Sequence, residues 1–481
     1  MKKEILIVGE TTLLIRCAEL IVEANHNIVA ICSPDKDVKS FCIRNHLKHH
    51  LSIHDVPQNI RYDYLLSIVN YEIIPKIYIA NTNIFAFNYH DGPLPRYAGI
   101  NVTSWSLLNH EKEHGVTWHI LTEKVDSGGI VSQKYFKIYD EDNAFSLNMR
   151  SYEIAYNLFS QEIFDRLSTG NFNIHEQDLS KRTYYALNKG LPKGGLIDCW
   201  ENTKDLIALS RATSIGERHK NTIGLPKLVI KGNVILIGKI EEYRFIENEP
   251  ANDAPAVIYM IIDAGIVASS RDGFIIMSDL QSWNGEKHGA KYWCSLNSIG
   301  IGESIDRPFA EHVSTVNKSY LSESYWVKKY EAATPLTWPI ERIPTDSTQG
   351  GIETLEYTFH EENASSVFFA IMFSHIKGLH PDSRSSNTFD YTNSELISDS
   401  FINNIFVPIV IECGEENAIN QNVFDSILKQ LKEIKKRGGS LRDIFIRYPN
   451  IFEKRNAKRS ILFCDNLSKK EFLEIKSTYT G

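Results

Sequence analysis

No apolar run among these 481 residues is long enough to span a bilayer, so no membrane partner is expected. The N-terminus comes nearest, with two lysines ahead of Ile5 to Val8. Glu4, Glu10 and Arg16 interrupt that run, which reads as a buried first strand rather than a leader. A CxxC pair is also missing. Cys17, Cys32, Cys42, Cys199, Cys294, Cys413 and Cys464 form an odd, dispersed set, which argues against a disulfide framework or a zinc site and for reduced thiols in a cytoplasmic protein. A dinucleotide fingerprint needs three spaced glycines after the first strand, and only Gly9 stands there, which excludes NAD. There is no excess of positive charge: 52 Lys and Arg against 60 Asp and Glu leave a net −8. That balance argues against DNA and, more mildly, against tRNA as a partner. Internal repeats and low-complexity tracts are absent.

What is present is an alternation of strand and helix. Ile5 to Val8 is a short continuous apolar run, and Leu13, Cys17, Leu20 and Ile21 mark one face of a helix ending near Asn25. Ile28 to Cys32, Tyr64 to Val69 and Phe85 to His90 follow as strands, with helices over 37–46 and 73–79 between them. The pattern predicts an α/β, Rossmann-like doubly wound sheet closed by a long helical stretch from Ser146 to Leu167. His46, His49, His50 and His54 with Asp55 suggest a metal cluster or an HHxxxD motif. The spacing is one residue too long for the latter, and a solvated histidine-rich loop is expected instead.

The chain is organised around 85–131. Alternation in the strand puts Asn88 and His90 on one side, and Pro93 and Pro95 stop sheet pairing just beyond them. Ligands of open α/β sheets bind past the carboxyl ends of strands. A second strand, Gly115 to Leu121, leads to a turn with Asp126, Gly128 and Gly129. If the two strands are neighbours, Asn88, His90 and Asp126 converge. Histidine moves protons near neutral pH, a carboxylate fixes its tautomer, and an amide steadies an oxyanion. No Ser or Cys stands out as a nucleophile, so the attacking group is the substrate's own. The alternative is an Asn and a His that merely hydrogen-bond a proline-rich turn. On the same strand as Thr117, His119 either lines the site or serves the sheet.

Asn88-Tyr89-His90, the loop Pro93 to Gly99, Gly115-Val116-Thr117 and Asp126-Ser127-Gly128 together resemble the folate-dependent formyltransferase family. The resemblance implies a formyltransferase taking a formyl group from 10-formyltetrahydrofolate to an acceptor amine, with no metal. Asn88, His90 and Asp126 match the family's catalytic positions. Val69, Asn70 and Tyr71 at a neighbouring strand end, with Arg96 and Gly128, are expected to border the folate; Arg96 either meets its carboxylate tail or braces the loop. Two departures stand out. The family usually has two small or apolar residues where this chain has Asp91-Gly92, and often an acidic residue where it has Gly129. A 10-formyltetrahydrofolate hydrolase and a catalytically inactive docking module are the alternative readings.

The expected domains are residues 1–185 for catalysis, 195–288 for a small OB-like β-barrel, and 300–481 for a partial condensation-like or docking region. Residues 188–195 read as a linker. Five short strands between 227 and 280 resemble the C-terminal domain of methionyl-tRNA formyltransferases. Ser324 to Tyr330 with Pro335 to Pro339, and Phe406 to Ile409, resemble segments of nonribosomal peptide synthetases. That likeness implies an acceptor amine presented on a carrier protein in specialised-metabolite synthesis.

Overall fold

The computed structural model describes residues 2–216, 219–246, 254–333, 387–393, 404, 407–411, 421–451 and 462–465. Pro335 to Pro339 and Phe406, which carry part of the peptide-synthetase likeness, lie outside them. Contacts divide the chain into two compact units, 1–187 with 207–216, and 188–206 with 217–481. The second unit takes in both the residues expected as a barrel and those expected beyond it.

The first unit is built on seven strands: β1 (Glu4–Gly9), β2 (Asn27–Cys32), β3 (His49–His50), β4 (Tyr62–Ile68), β5 (Thr82–His90), β7 (Glu113–Ile120) and β8 (Ile130–Lys137). Their order is β3-β2-β1-β4-β5-β7-β8; pairing is parallel through β5 and antiparallel beyond it. A central parallel strand is covered on both faces, hence the unbroken apolar run Ile5 to Val8, all buried. Helices α1 (Thr11–Glu23), α2 (Lys36–Arg44), α3 (Lys76–Ala80) and α4 (Val102–Leu108) connect the strands. Asp35 caps α2 by accepting from the Asp37 amide, and Asn143 caps α5 (Ala144–Leu158) in a reciprocal pair with Ser146. The helical stretch expected to reach Leu167 does so through a π-helical turn, Phe159–Ile163, into α6 (Phe164–Leu167). One apolar core gathers α1, α2 and α5 on the face carrying Ile5, Ile7, Tyr64, Phe87 and Trp118.

Two local expectations are corrected. The histidine-rich stretch is a sheet edge: His49 and His50 pair with Ile31 and Cys32, and the His49 ring bonds the Ser33 carbonyl at 2.9 Å. Its histidines read as loop because a two-residue strand has no period to detect. Residues 188–195 are not a loose linker. A Cβ at Gly190 would fall 2.4 Å from the Tyr320 ring, and one at Gly194 (φ 66°) 2.5 Å from Val316, so the backbone lies directly against those side chains.

The second unit carries an antiparallel sheet of β10 (Lys227–Ile230), β11 (Asn233–Glu242), β14 (Phe274–Gln281), β13 (Gly265–Ser269) and β12 (Ile258–Ile262) in that order, with β15 (Lys287–His288) on β14. Short pairs β6 (Ala98–Gly99) and β9 (Tyr184–Tyr185) belong to the first unit. Helix α7 (Thr203–Thr213) is divided between the units at Leu206. Later come α8 (Ala290–Leu296), the long α9 (Ala310–Ala332), strands β16 (Asn387–Asn393), β17 (Val407–Ile411) and β18 (Leu462–Asp465), α10 (Gln421–Arg437) and α11 (Ile444–Arg447). Trp326, Tyr330, Tyr391, Val407, Ile427, Leu431 and Phe445 share a core there.

Candidate active site

The two strands that carry the motif are neighbours. Asn88 pairs with His119 and His90 with Thr117 across the antiparallel β5–β7 ladder, which sets the two polar side chains beside the turn that follows β7. That turn is held from several sides. Gln177 Nε2 donates to the Asp126 and Gly128 carbonyls at 3.1 and 2.6 Å, and Arg182 reaches the Val125 carbonyl at 3.0 Å. Asp126 sits at φ 49°, a left-handed conformation that an aspartate tolerates better than most residues. The loop after β5 is anchored by Thr117, whose hydroxyl donates to the Gly92 carbonyl at 2.7 Å. Gln133 donates to both the Leu94 carbonyl and that hydroxyl, each at 2.8 Å.

The three expected residues converge. His90 Nδ1 lies 3.7 Å from Asp126 Oδ2, and its Nε2 donates to the Tyr97 carbonyl at 2.6 Å. The carbonyl can only accept, so Nε2 carries the hydrogen and Nδ1 is the nitrogen at which a proton is gained or lost. Asp126 also accepts from the Gly99 amide at 2.8 Å. Burial opposes its charge, but the His90 and His119 imidazoles and that amide outweigh it and hold the carboxyl well below the usual carboxylate range. It is a fixed negative charge, 9% exposed.

His119 is a fourth member. Its Nδ1 donates to the Ile120 carbonyl at 2.9 Å, its Nε2 stands 3.1 Å from Asn88 Nδ2, and Asp126 Oδ1 is 3.5 Å from the same nitrogen. The ring thus fixes which way the Asn88 amide turns, leaving its second N–H for another acceptor. The sequence left His119 open between the site and the sheet; the β5–β7 register sets it directly opposite Asn88.

His114 escaped the sequence reading altogether. Fully buried, it donates from Nε2 to the Asp91 carbonyl at 2.6 Å, and its Nδ1 lies 2.9 Å from the Ser106 hydroxyl. Burial, offset only in part by the Asp91 carbonyl, pushes its pKa down to about 4. A neutral histidine therefore props the backbone next to His90.

The residues expected to border a ligand are placed differently from one another. Val69 (φ 51°) and Asn70 make a tight turn in which the Asn70 side chain bonds the Glu72 backbone in both directions. Tyr71 projects from that turn, 64% exposed. Arg96 pairs with Glu111 and stands over the Tyr97 ring, which is the bracing role. Gly128 serves close packing: a Cβ there would fall 2.0 Å from the Ile120 carbonyl oxygen. Among the described residues, no group of three or more His, Cys, Asp or Glu could hold a metal ion, and no helix is long and apolar enough to cross a membrane.

Residues 18–163 match the formyl transferase family. The chain is 29% identical over 158 residues to the bifunctional polymyxin resistance protein ArnA of Wigglesworthia glossinidia brevipalpis, covering 33% of this chain and 24% of that protein. It is 32% identical over 136 residues to the GDP-perosamine N-formyltransferase of Brucella melitensis, covering 28% of this chain and 51% of the relative. The chain thus spans about half or less of the length of these curated relatives. Among solved structures it is similar to WlaRD, a sugar 3N-formyl transferase with dTDP and 5-N-formyl-THF. That comparison gives TM-score 0.46 and 20% identity over 58% of this chain and 98% of the other. It is also similar to HypX from Aquifex aeolicus in complex with tetrahydrofolic acid, with TM-score 0.43 and 15% identity over 68% and 58% of the two chains.

Proposed function

We propose that the chain is an N-formyltransferase that takes a formyl group from 10-formyltetrahydrofolate and gives it to an acceptor amine. The observation that carries this reading is the convergence of Asn88, His90 and Asp126 at the carboxyl end of β5, inside the segment that matches the formyl transferase family. The donor set suits the chemistry, since it supplies an amide N–H, an imidazole and a fixed carboxylate and no side-chain nucleophile. The donor, when bound, supplies a formyl group on a nitrogen able to leave. Asn88 directs its remaining amide hydrogen at the oxygen that gains charge when the amine adds. His90 moves a proton at Nδ1, and Asp126 stabilises the imidazolium that forms. Val69, Asn70 and Tyr71 border the folate in this reading, with Gly128 and Arg96 shaping the walls.

The finer reading is an acceptor amine presented on a carrier protein in nonribosomal-peptide-like synthesis in the cytoplasm, with DNA excluded and tRNA disfavoured. The antiparallel sheet of the second unit takes the role of the OB-like domain, 195–288, and residues 300–481 that of a docking region. Substitution tests the core claim. Removing one oxyanion donor from an acyl-transfer site costs about 10²–10³ in rate. Asn88→Ala and His90→Ala are each expected to lose at least that in formyl transfer, with circular dichroism unchanged. Near-wild-type transfer by either folded variant sinks the assignment. Loss of the formyl group to water in the absence of any amine identifies a hydrolase instead.

A further inference from the structure

His90 stands between opposing pulls. Its Nδ1 faces two carboxylates, Asp126 Oδ2 at 3.7 Å and Asp91 Oδ1 at 3.8 Å, and each favours a hydrogen on that nitrogen. Its Nε2 faces a neutral acceptor, the Tyr97 carbonyl at 2.6 Å. A neutral imidazole carries a single N–H. A hydrogen drawn to Nδ1 is therefore lost from Nε2, and it closes the nitrogen at which His90 gains a proton. Two charges against one carbonyl decide for Nδ1 unless the carbonyl is held at close range.

It is held from three directions. Tyr97 has φ 58°, a left-handed conformation rare for a bulky residue, and a relaxed φ would turn the carbonyl away from His90. The backbone is tied at that point and just after it. The Tyr97 amide donates to the Thr183 hydroxyl at 2.8 Å, and the Ala98 amide to the Thr183 carbonyl at 2.9 Å. The side chain is tied as well. Its ring stacks on Tyr185 with centroids 5.4 Å apart, and its hydroxyl donates to Glu111 and accepts from Asn109 Nδ2, each at 2.9 Å. Asn109, which ends α4, also donates to the Tyr185 hydroxyl at 2.8 Å. On the remaining side there is no side chain at all. A Cβ at Gly92 would fall 2.7 Å from both His90 Nε2 and the Tyr97 carbonyl oxygen, against the hydrogen bond itself. Only glycine lets these two atoms meet.

We infer that Tyr97 and Gly92 are positioning residues that lock His90 in its Nε2–H tautomer against the pull of Asp91 and Asp126. The inference rests on the formyltransferase reading for the use made of the free Nδ1, though not for the lock itself. Tyr97 acts through its main-chain carbonyl, and its phenol fixes that carbonyl by way of Glu111 and Asn109. Gly92 acts by leaving room. With the lock in place, Nδ1 keeps its lone pair while both carboxylates stand ready to stabilise the imidazolium once a proton arrives. Without it, the same carboxylates hold a hydrogen on Nδ1 and the ring is in the wrong form to accept another there.

The test reads the ring directly, in the full chain labelled with 15N-histidine and with the His90 signals assigned by their loss in His90→Gln. Two-bond 15N–1H correlation spectra at mildly alkaline pH show which nitrogen carries the hydrogen. The wild-type protein is expected to show Nε2–H, Gly92→Ala chiefly Nδ1–H, and Tyr97→Phe a mixture of the two. A loss of stability alone leaves the tautomer of the folded protein unmoved. Nδ1–H in the wild type, or Nε2–H retained in both folded variants, overturns the proposal. If either variant does not fold, Asn109→Ala at an exposed position carries the test, with a mixture expected and an unmixed Nε2–H ring overturning the lock. In turnover of 10-formyltetrahydrofolate, Gly92→Ala is expected to lower kcat about tenfold or more. Its KM for the donor is expected to stay within about twofold, because the lock sets how many rings are competent and not how the donor binds. A raised KM with kcat unchanged overturns the proposal in favour of a pocket role. Calorimetry with 5-formyltetrahydrofolate separates the two claims. Folate bound with the tautomer unmoved in the variants removes only the lock; a tautomer that shifts in the variants with no folate bound removes the formyltransferase reading and leaves the lock standing.

Discussion

His114 shows how one buried side chain couples pH to the site. In the unfolded chain its pKa returns to about 6.5, whereas in the folded protein burial holds it at about 4. A group depressed by folding contributes stability above its unfolded pKa and loses it as pH falls through the folded one. Between pH 6.5 and 4 the unfolded state takes up a proton that the native state refuses, and up to about 3 kcal/mol is lost. His114→Asn is expected to be less stable at pH 7 and to have a flatter pH dependence across that window. Urea midpoints at half-unit steps check it, and parallel profiles for variant and wild type would refute it. Because His114 holds the Asp91 carbonyl, the same variant loosens the peptide that joins Asp91 to the loop.

At the scale of elements, α9 presents an apolar stripe of Val316, Tyr320, Trp326, Val327 and Tyr330, and Glu323 sits in the middle of it. The carboxylate is met by Arg447 of α11, whose Nη1 is 3.0 Å from Oε1 and whose Nη2 binds Oε2, and by the Tyr448 hydroxyl at 2.5 Å. Arg447 Nε in turn lies 3.0 Å from Asp443, and Lys227 of β10 lies 2.9 Å from the same carboxylate. Lys227, Asp443 and Arg447 are all fully or almost fully buried. Two cations and two anions balance, so deleting one member leaves a buried charge uncompensated. Removing one partner of a buried pair costs about 3–5 kcal/mol. Asp443→Asn is expected to lower the unfolding free energy of the second unit by that amount, read from urea titration followed by tryptophan fluorescence. A shift under 1 kcal/mol would mean that solvent reaches the cluster.

For the molecule as a whole, the residues past 306 are not a removable appendage of the second unit. Val316, Tyr320 and Leu441 cover Leu196 and Val229, and Gly190, Gly194 and Gly224 are tailored to the Tyr320 and Val316 side chains. A chain truncated after Asp306 uncovers that surface together with the Lys227 pocket. It is therefore expected to aggregate, read as loss of the monodisperse species by light scattering. A soluble, cooperatively folding truncation would show that the later helices are an independent addition.

The amino-acid sequence by itself determined the parallel sheet and the Asn88–His90 pair, whereas the approach of Asp126 waited on the pairing of β5 with β7. Both are written in local periods: the apolar run Ile5 to Val8 can only be a doubly covered strand, and Asn88 and His90 share a side by alternation wherever β5 lies. It could not supply the register. Only the β5–β7 ladder puts His119 opposite Asn88, and only the fold buries His114 beneath Asp91, since these partners come from different elements and leave no periodic trace. The same holds for Glu323 and Arg447, charged residues whose spacing reads as solvated helix faces until tertiary packing brings them together across 124 positions. Composition likewise read residues 188–195 as a linker, because glycine marks flexibility and close packing alike; the Tyr320 ring decided between them.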